Sequence, residues 1–138
     1  MERRVNVVIR GLHDTDPEDE IEMTSIGTLV KGEDCDVVSY TEAVEDSTTT
    51  MPAMLRIYPD RIEVIRGERE EAAMLFVRHQ NTYSMYQTSF GSIEMMINTD
   101  QYKLDYEEDG IRVEVRFTMY MNGKGPSYSC VKIDIRYM

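Results

Sequence analysis

Covalent chemistry needs a nucleophile held beside a base, and this sequence offers few candidates. It contains no Gly-x-Ser-x-Gly turn of the kind that presents a serine between a strand and a helix. Gly123-Lys124-Gly125-Pro126-Ser127 is glycine-rich, but it joins two strand-like runs and no helix follows. It therefore reads as a hairpin turn rather than a phosphate cradle. His13, His79, Cys35 and Cys130 have no second ligand at a short, regular spacing, so no metal site is expected. Asp14-Thr15-Asp16-Pro17-Glu18 starts like a calcium loop but lacks the glycine at the sixth position and the glutamate at the twelfth. Carboxylate pairs abound because 26 acidic residues face 15 basic ones. A catalytic pair needs one member in apolar surroundings. Here the acids lie mainly in turns or on polar strand faces, and Glu114 and Asp134 read as exterior charges matched to arginines. No catalytic residue and no cofactor is assigned. The two cysteines read as small buried apolar residues of a reducing compartment rather than as a disulfide.

The aromatic and sulfur side chains point elsewhere. Nine tyrosines, three phenylalanines and eleven methionines accompany a complete lack of tryptophan. Tyr83, Tyr86, Phe90, Tyr102 and Tyr106 share one central stretch. Tyrosine and methionine adapt to irregular apolar gaps and to varied ligands. They fit either a core with awkward gaps or a ligand cavity.

The elements that must position these residues are strands. Apolar residues recur at every second position in Val5-Val7-Ile9, Leu55-Ile57, Ile62-Val64, Met74-Phe76 and Ile93-Met95-Ile97. The longest such runs are Ile111 to Met121 and Val131 to Tyr137. Ile21, Met23 and Ser25 begin a strand that Gly27 is expected to bend. Val38, Tyr40 and Glu42 alternate with Val37, Ser39 and Thr41. Tyr83, Met85 and Gln87 are expected to share one face. Pro59-Asp60, Asp109-Gly110 and the glycines after Asn122 supply the bends and positive φ that hairpins need. Only Glu68 to Met74 has any helical character, one turn or none. About nine short strands with tight turns predict an antiparallel meander that closes on itself or packs as two sheets.

Charges suggest two registers. A two-residue loop at Pro59-Asp60 puts Arg56 opposite Glu63 and Leu55 opposite Val64. In the last hairpin, pairing Arg116 with Asp134 also pairs Glu114 with Arg136 and Phe117 with Ile133. Sliding by two residues would oppose like charges, so the first register is expected.

The chain has the length of one domain, spanning residues 1–138. Its formal net charge of −11 disfavours nucleic acid and anionic membranes as partners. No apolar run is long enough to span a bilayer, and the N-terminal residues lack an export-signal core, so a cytoplasmic protein is expected.

Several segments taken in order resemble a known family: Asp19-Glu20-Ile21-Glu22, Tyr40-Thr41-Glu42, Arg66-Gly67, Met74-Leu75-Phe76 and Tyr86-Gln87-Thr88-Ser89-Phe90-Gly91. Over essentially the whole chain the sequence is similar to the small bacterial YwiB-like proteins, a calycin-like family of unknown function. The resemblance implies an all-β, lipocalin-like, antiparallel up-and-down barrel of about 8–10 strands and brings no activity. Arg66, Tyr86, Thr88 and Gly91 match its pattern. The leading expectation is a binding module that holds a small, partly apolar molecule in the barrel or at its mouth, with Arg66, Tyr86, Thr88 and Tyr40 as candidate ligand-binding residues. The alternative is a filled barrel that serves protein interaction or self-assembly, as a monomer or a homodimer. An enzyme ranks third, and would need Arg66, Tyr86 or Tyr40 beside a buried carboxylate.

Overall fold

The computed structural model describes residues 2–13, 21–43, 50–67, 73–88 and 91–138, with backbone alone for Leu12, His13, Ile21, Ala43 and residues 86–88. The calcium-like stretch from Asp14, Phe90 and most of the helix-like stretch from Glu68 lie outside the described residues. Ten strands follow one another: β1 (Glu2–His13), β2 (Ile21–Lys31), β3 (Asp36–Ala43), β4 (Thr50–Ile57), β5 (Arg61–Arg66), β6 (Met74–Val77), β7 (Asn81–Thr88), β8 (Gly91–Glu107), β9 (Gly110–Met121) and β10 (Lys124–Tyr137). They form a single sheet in the order β6-β5-β4-β3-β2-β1-β10-β9-β8-β7. All the neighbours in it are antiparallel. The order is a meander whose first and last strands pair with each other, and it curls into a nearly closed barrel as expected.

Closure falls between the edge strands β6 and β7, which are consecutive in the chain. The turn after β6 docks on β8: His79 N–H donates to the Thr99 carbonyl at 2.8 Å, and Arg78 pairs with Thr99 in a parallel bridge. The Thr82 hydroxyl donates to the Leu75 carbonyl across the same seam. Inside, Phe76 of β6 meets Phe117 of β9 with ring centroids 4.8 Å apart. The seam thus combines a few backbone bonds with aromatic packing.

The core follows the alternation. Val5, Val7, Leu55, Ile111, Val113 and Ile135 are all fully buried. In β8 the alternation changes phase at a bulge. Thr99 opposes Phe117 and Gln101 opposes Arg116, so Asp100 is the extra residue. The strand then runs on to Glu107, with Tyr102 buried.

One sequence expectation needs correction and two are made more specific. Tyr83 and Met85 share one face as expected, and it is the outer one, at 66% and 47% exposure, with Ser84 in the inner position of β7. The apolar residues there belong to an outer patch rather than to the core. Gly27 permits close approach of β2 to β3, since a Cβ there would lie 2.6 Å from the Ser39 carbonyl oxygen, and the β2–β3 pairing runs only from Thr28 to Lys31. The last hairpin has another register: Glu114 opposes Lys132, Arg112 opposes Asp134, and Arg116 opposes Cys130. The turn decides it. Asn122 (φ 51°) and Gly123 (φ 75°) make a tight two-residue connection, and Gly125-Pro126 is absorbed into β10 beside a register shift. Opposite charges still face each other, four residues away from the expected register. The Pro59-Asp60 hairpin is as expected, with Arg56 opposite Glu63 and Leu55 opposite Val64.

The new register builds an ion cluster on the outer face. Asp134 accepts from Arg112 Nε at 2.9 Å and from Arg136 Nη2 at 3.0 Å, and Arg136 also reaches Glu107 and Asp109. Partial burial pushes the Asp134 carboxyl up, but its arginine partners outweigh this and hold it below its ordinary 3.8. The folded chain therefore binds this proton less readily than the unfolded chain. The stabilisation is complete above the ordinary carboxylate range and drains away as pH falls below it. Urea unfolding of wild type and Asp134→Asn should show a constant stability gap from about pH 7 to about pH 5 that closes below about pH 4. A gap that persists undiminished to about pH 2.5 would contradict this account.

Candidate functional site

Strand β3 turns Asp36, Val38, Tyr40 and Glu42 to the interior at every second position, all at least nine-tenths buried. One strand therefore carries a carboxylate toward each end of the barrel. At one end Asp36 Oδ2 accepts from the Tyr106 hydroxyl at 3.0 Å, and Tyr102 closes the interior by donating to the Tyr58 carbonyl at 2.8 Å.

Toward the other end the interior is hollow. A cavity of about 280 Å³ is walled by Ile9, Met23, Leu55, Val64, Met74, Phe117, Met119, Val131 and other apolar side chains. Its polar lining includes Tyr40, Glu42 and Arg66. The Tyr40 hydroxyl donates to Glu42 Oε1 at 3.3 Å, and Arg66 Nε stands 3.4 Å from Glu42 Oε2. The Glu42 side chain is only 10% exposed while that of Arg66 is 55% exposed, so the guanidinium marks the way out to solvent.

The backbone explains why these groups meet. Tyr40 opposes Ala53 on β4, and Ala53 opposes Arg66 on β5, so the three form one cross-strand row. Small Gly27 and Ala53 on the flanking strands leave room for the tyrosine ring. Glu42 is the next inward residue along β3, one step nearer the strand end. Burial raises the Tyr40 phenol well above its ordinary 10.0, and the Glu42 charge raises it further against an opposing effect of Arg66. Near neutrality Tyr40 is a proton donor only.

Of the four candidate residues, the structure brings Tyr40 and Arg66 together around a carboxylate. Tyr86 and Thr88 are described by backbone alone, opposite Ile93 and Gly91, and their side chains lie outside the described residues. Glu42 is the residue that sequence reasoning did not single out. Its signal was its phase, in step with Val38 and Tyr40. Among the described residues no set of three or more His, Cys, Asp and Glu side chains is arranged to hold a metal, and both cysteines are free. Among those same residues no helix is long and apolar enough to cross a membrane.

Replacing Tyr40 by Phe should cost about 1 kcal/mol in urea unfolding, since a buried carboxylate loses a donor. The cost should grow in an Arg66→Ala background, where that donor matters more. Additive costs in the two backgrounds would show that Tyr40 and Arg66 do not share Glu42.

Residues 7–133 match a family described as a domain of unknown function, DUF1934. The crystal structure of the YwiB protein from Bacillus subtilis has the same fold, with a TM-score of 0.83 over 99% of this chain and 93% of that one, at 18% sequence identity. No curated protein is detectably similar to the chain.

Proposed function

The chain belongs to the DUF1934 family, whose function is unknown, and from that premise we propose that it is a binding barrel for one small, largely apolar molecule bearing a single polar group. The observation that carries this reading is the cavity of about 280 Å³, apolar on most sides, with Tyr40, Glu42 and Arg66 gathered at one place on its wall. Ligand sites are typically mostly apolar hollows with a few convergent polar groups, of roughly 300–1,000 Å³. This one lies just below that range, which favours a compact ligand over a long lipid. Methionines 23, 74 and 119 give the wall adaptable side chains. The free thiols fit a reducing compartment and support a cytoplasmic location.

The same trio meets the condition set for an enzyme, an arginine and a tyrosine beside a buried carboxylate. Its groups engage one another, however, and Tyr40 is too weak an acid to serve as a base near neutrality. Binding explains the arrangement without a nucleophile.

The neutral apolar dye N-phenyl-1-naphthylamine should brighten on mixing with the protein, and 1-octanol should displace it. Val131→Phe, which fills part of the hollow, should weaken the dye at least about tenfold without loss of stability. Undiminished dye binding in that variant, or none in wild type, would end the cavity reading.

A second reading, self-association, is favoured by the outer face of β7–β9. There Tyr83 opposes Met96, and Met96 opposes Tyr120. The exposed Met85 adjoins them on β7. Exposed apolar groups of this kind mark contact surfaces. Light scattering coupled to size exclusion should then return a dimer mass, reduced to a monomer by Tyr83→Glu; a monomer in wild type at about 0.5 mM would remove this reading.

A further inference from the structure

We propose that the cavity selects a cationic amphiphile, a compact apolar body with one protonated amine whose ammonium takes the place of Arg66 at Glu42. This deepens the binding reading and rests on it.

The argument turns on which member of the Glu42–Arg66 pair can be given up. The pair lies at the cavity wall, so a ligand's polar group must insert at it. An anionic head would have to share the Arg66 guanidinium with Glu42, whose side chain is 10% exposed. It would set a second negative charge beside a buried carboxylate, the costly outcome. A cationic head competes with Arg66 instead, whose side chain is 55% exposed and can turn out to water at little cost. Glu42 would then keep its Tyr40 hydrogen bond on Oε1 and accept the ammonium on Oε2. A carboxylate has about four lone-pair sites, so it can also accept a further donor without losing the first.

The charge of the chain points the same way. A formal net charge of −11 raises the local level of cations and lowers that of anions over a Debye length, about 8–10 Å at physiological salt.

The test uses three probes that share an eight-carbon chain: octylammonium, 1-octanol and octanoate, titrated calorimetrically into the full-length protein. Octylammonium should bind at least about tenfold tighter than octanoate at low salt, with 1-octanol between them. The spread should narrow in about 0.5 M salt as the distant charges are screened. In Glu42→Gln the ratio of octylammonium to 1-octanol affinity should fall toward one. Octanoate binding as tightly as octylammonium, or a ratio unmoved by Glu42→Gln, would overturn the cationic preference while leaving the cavity reading intact. Failure of all three probes to bind would overturn both.

Discussion

Strict alternation of side chains along a strand governs this molecule. Once a strand's phase against its neighbours is set, every second residue is committed to the interior, whatever its chemistry. In β3 that commitment takes in Asp36 and Glu42 along with Val38 and Tyr40. The two carboxylates are inside because the strand between them must face inward to supply Val38. Each is then satisfied locally, Asp36 by the Tyr106 hydroxyl and Glu42 by Tyr40 and Arg66. Buried charge needs such partners, and the need for them has placed polar chemistry at both ends of an otherwise apolar interior.

The hollow follows from the same geometry. At the Asp36 end the buried Tyr102 ring fills the interior and donates to the Tyr58 carbonyl, while the exposed Tyr106 donates its hydroxyl to Asp36. Around Glu42 the lining mixes Phe76 and Phe117 with methionines, valines and Gly11, and it leaves volume unfilled. The barrel is therefore packed at one end and open at the other, and its polar trio sits at the open one. Nothing about the overall fold requires this asymmetry; it comes from which residues occupy the inward positions of each strand.

Much of the fold could be read from the sequence because period-two alternation is a strong signal when uninterrupted. Strands β1, β9 and β10 and the Pro59-Asp60 hairpin, with Arg56 opposite Glu63, emerged from it directly. The reading lost its place where alternation breaks or has two answers. Asp100 resets the phase of β8, which hid its extension to Glu107. On β7, Tyr83 and Met85 form part of an outer patch, so the more apolar face is the outer one. In the last hairpin the charges fit more than one register, and the left-handed conformations of Asn122 and Gly123 decide between them. At the site, Tyr40 and Arg66 were legible as residue types. Their meeting was not: the expected hairpin sets Ala53 against Arg66, but the pairing of Tyr40 with Ala53 between β3 and β4 has no local pattern to encode it. Glu42 was in phase with its inward neighbours but looked like one acid among 26.

The pairing of β1 with β10 sets Val5 against Tyr137 and Val7 against Ile135, residues from opposite ends of the chain. Every other neighbouring pair of strands is a hairpin that can form from adjacent sequence. The β1–β10 contact must wait until those hairpins have shortened the effective loop between its partners, because closing a loop of that length carries a large entropic cost. The β1–β10 pairing is thus a late, non-local event, and it puts the chain among the slow-folding β topologies, which take milliseconds to seconds to reach the native state.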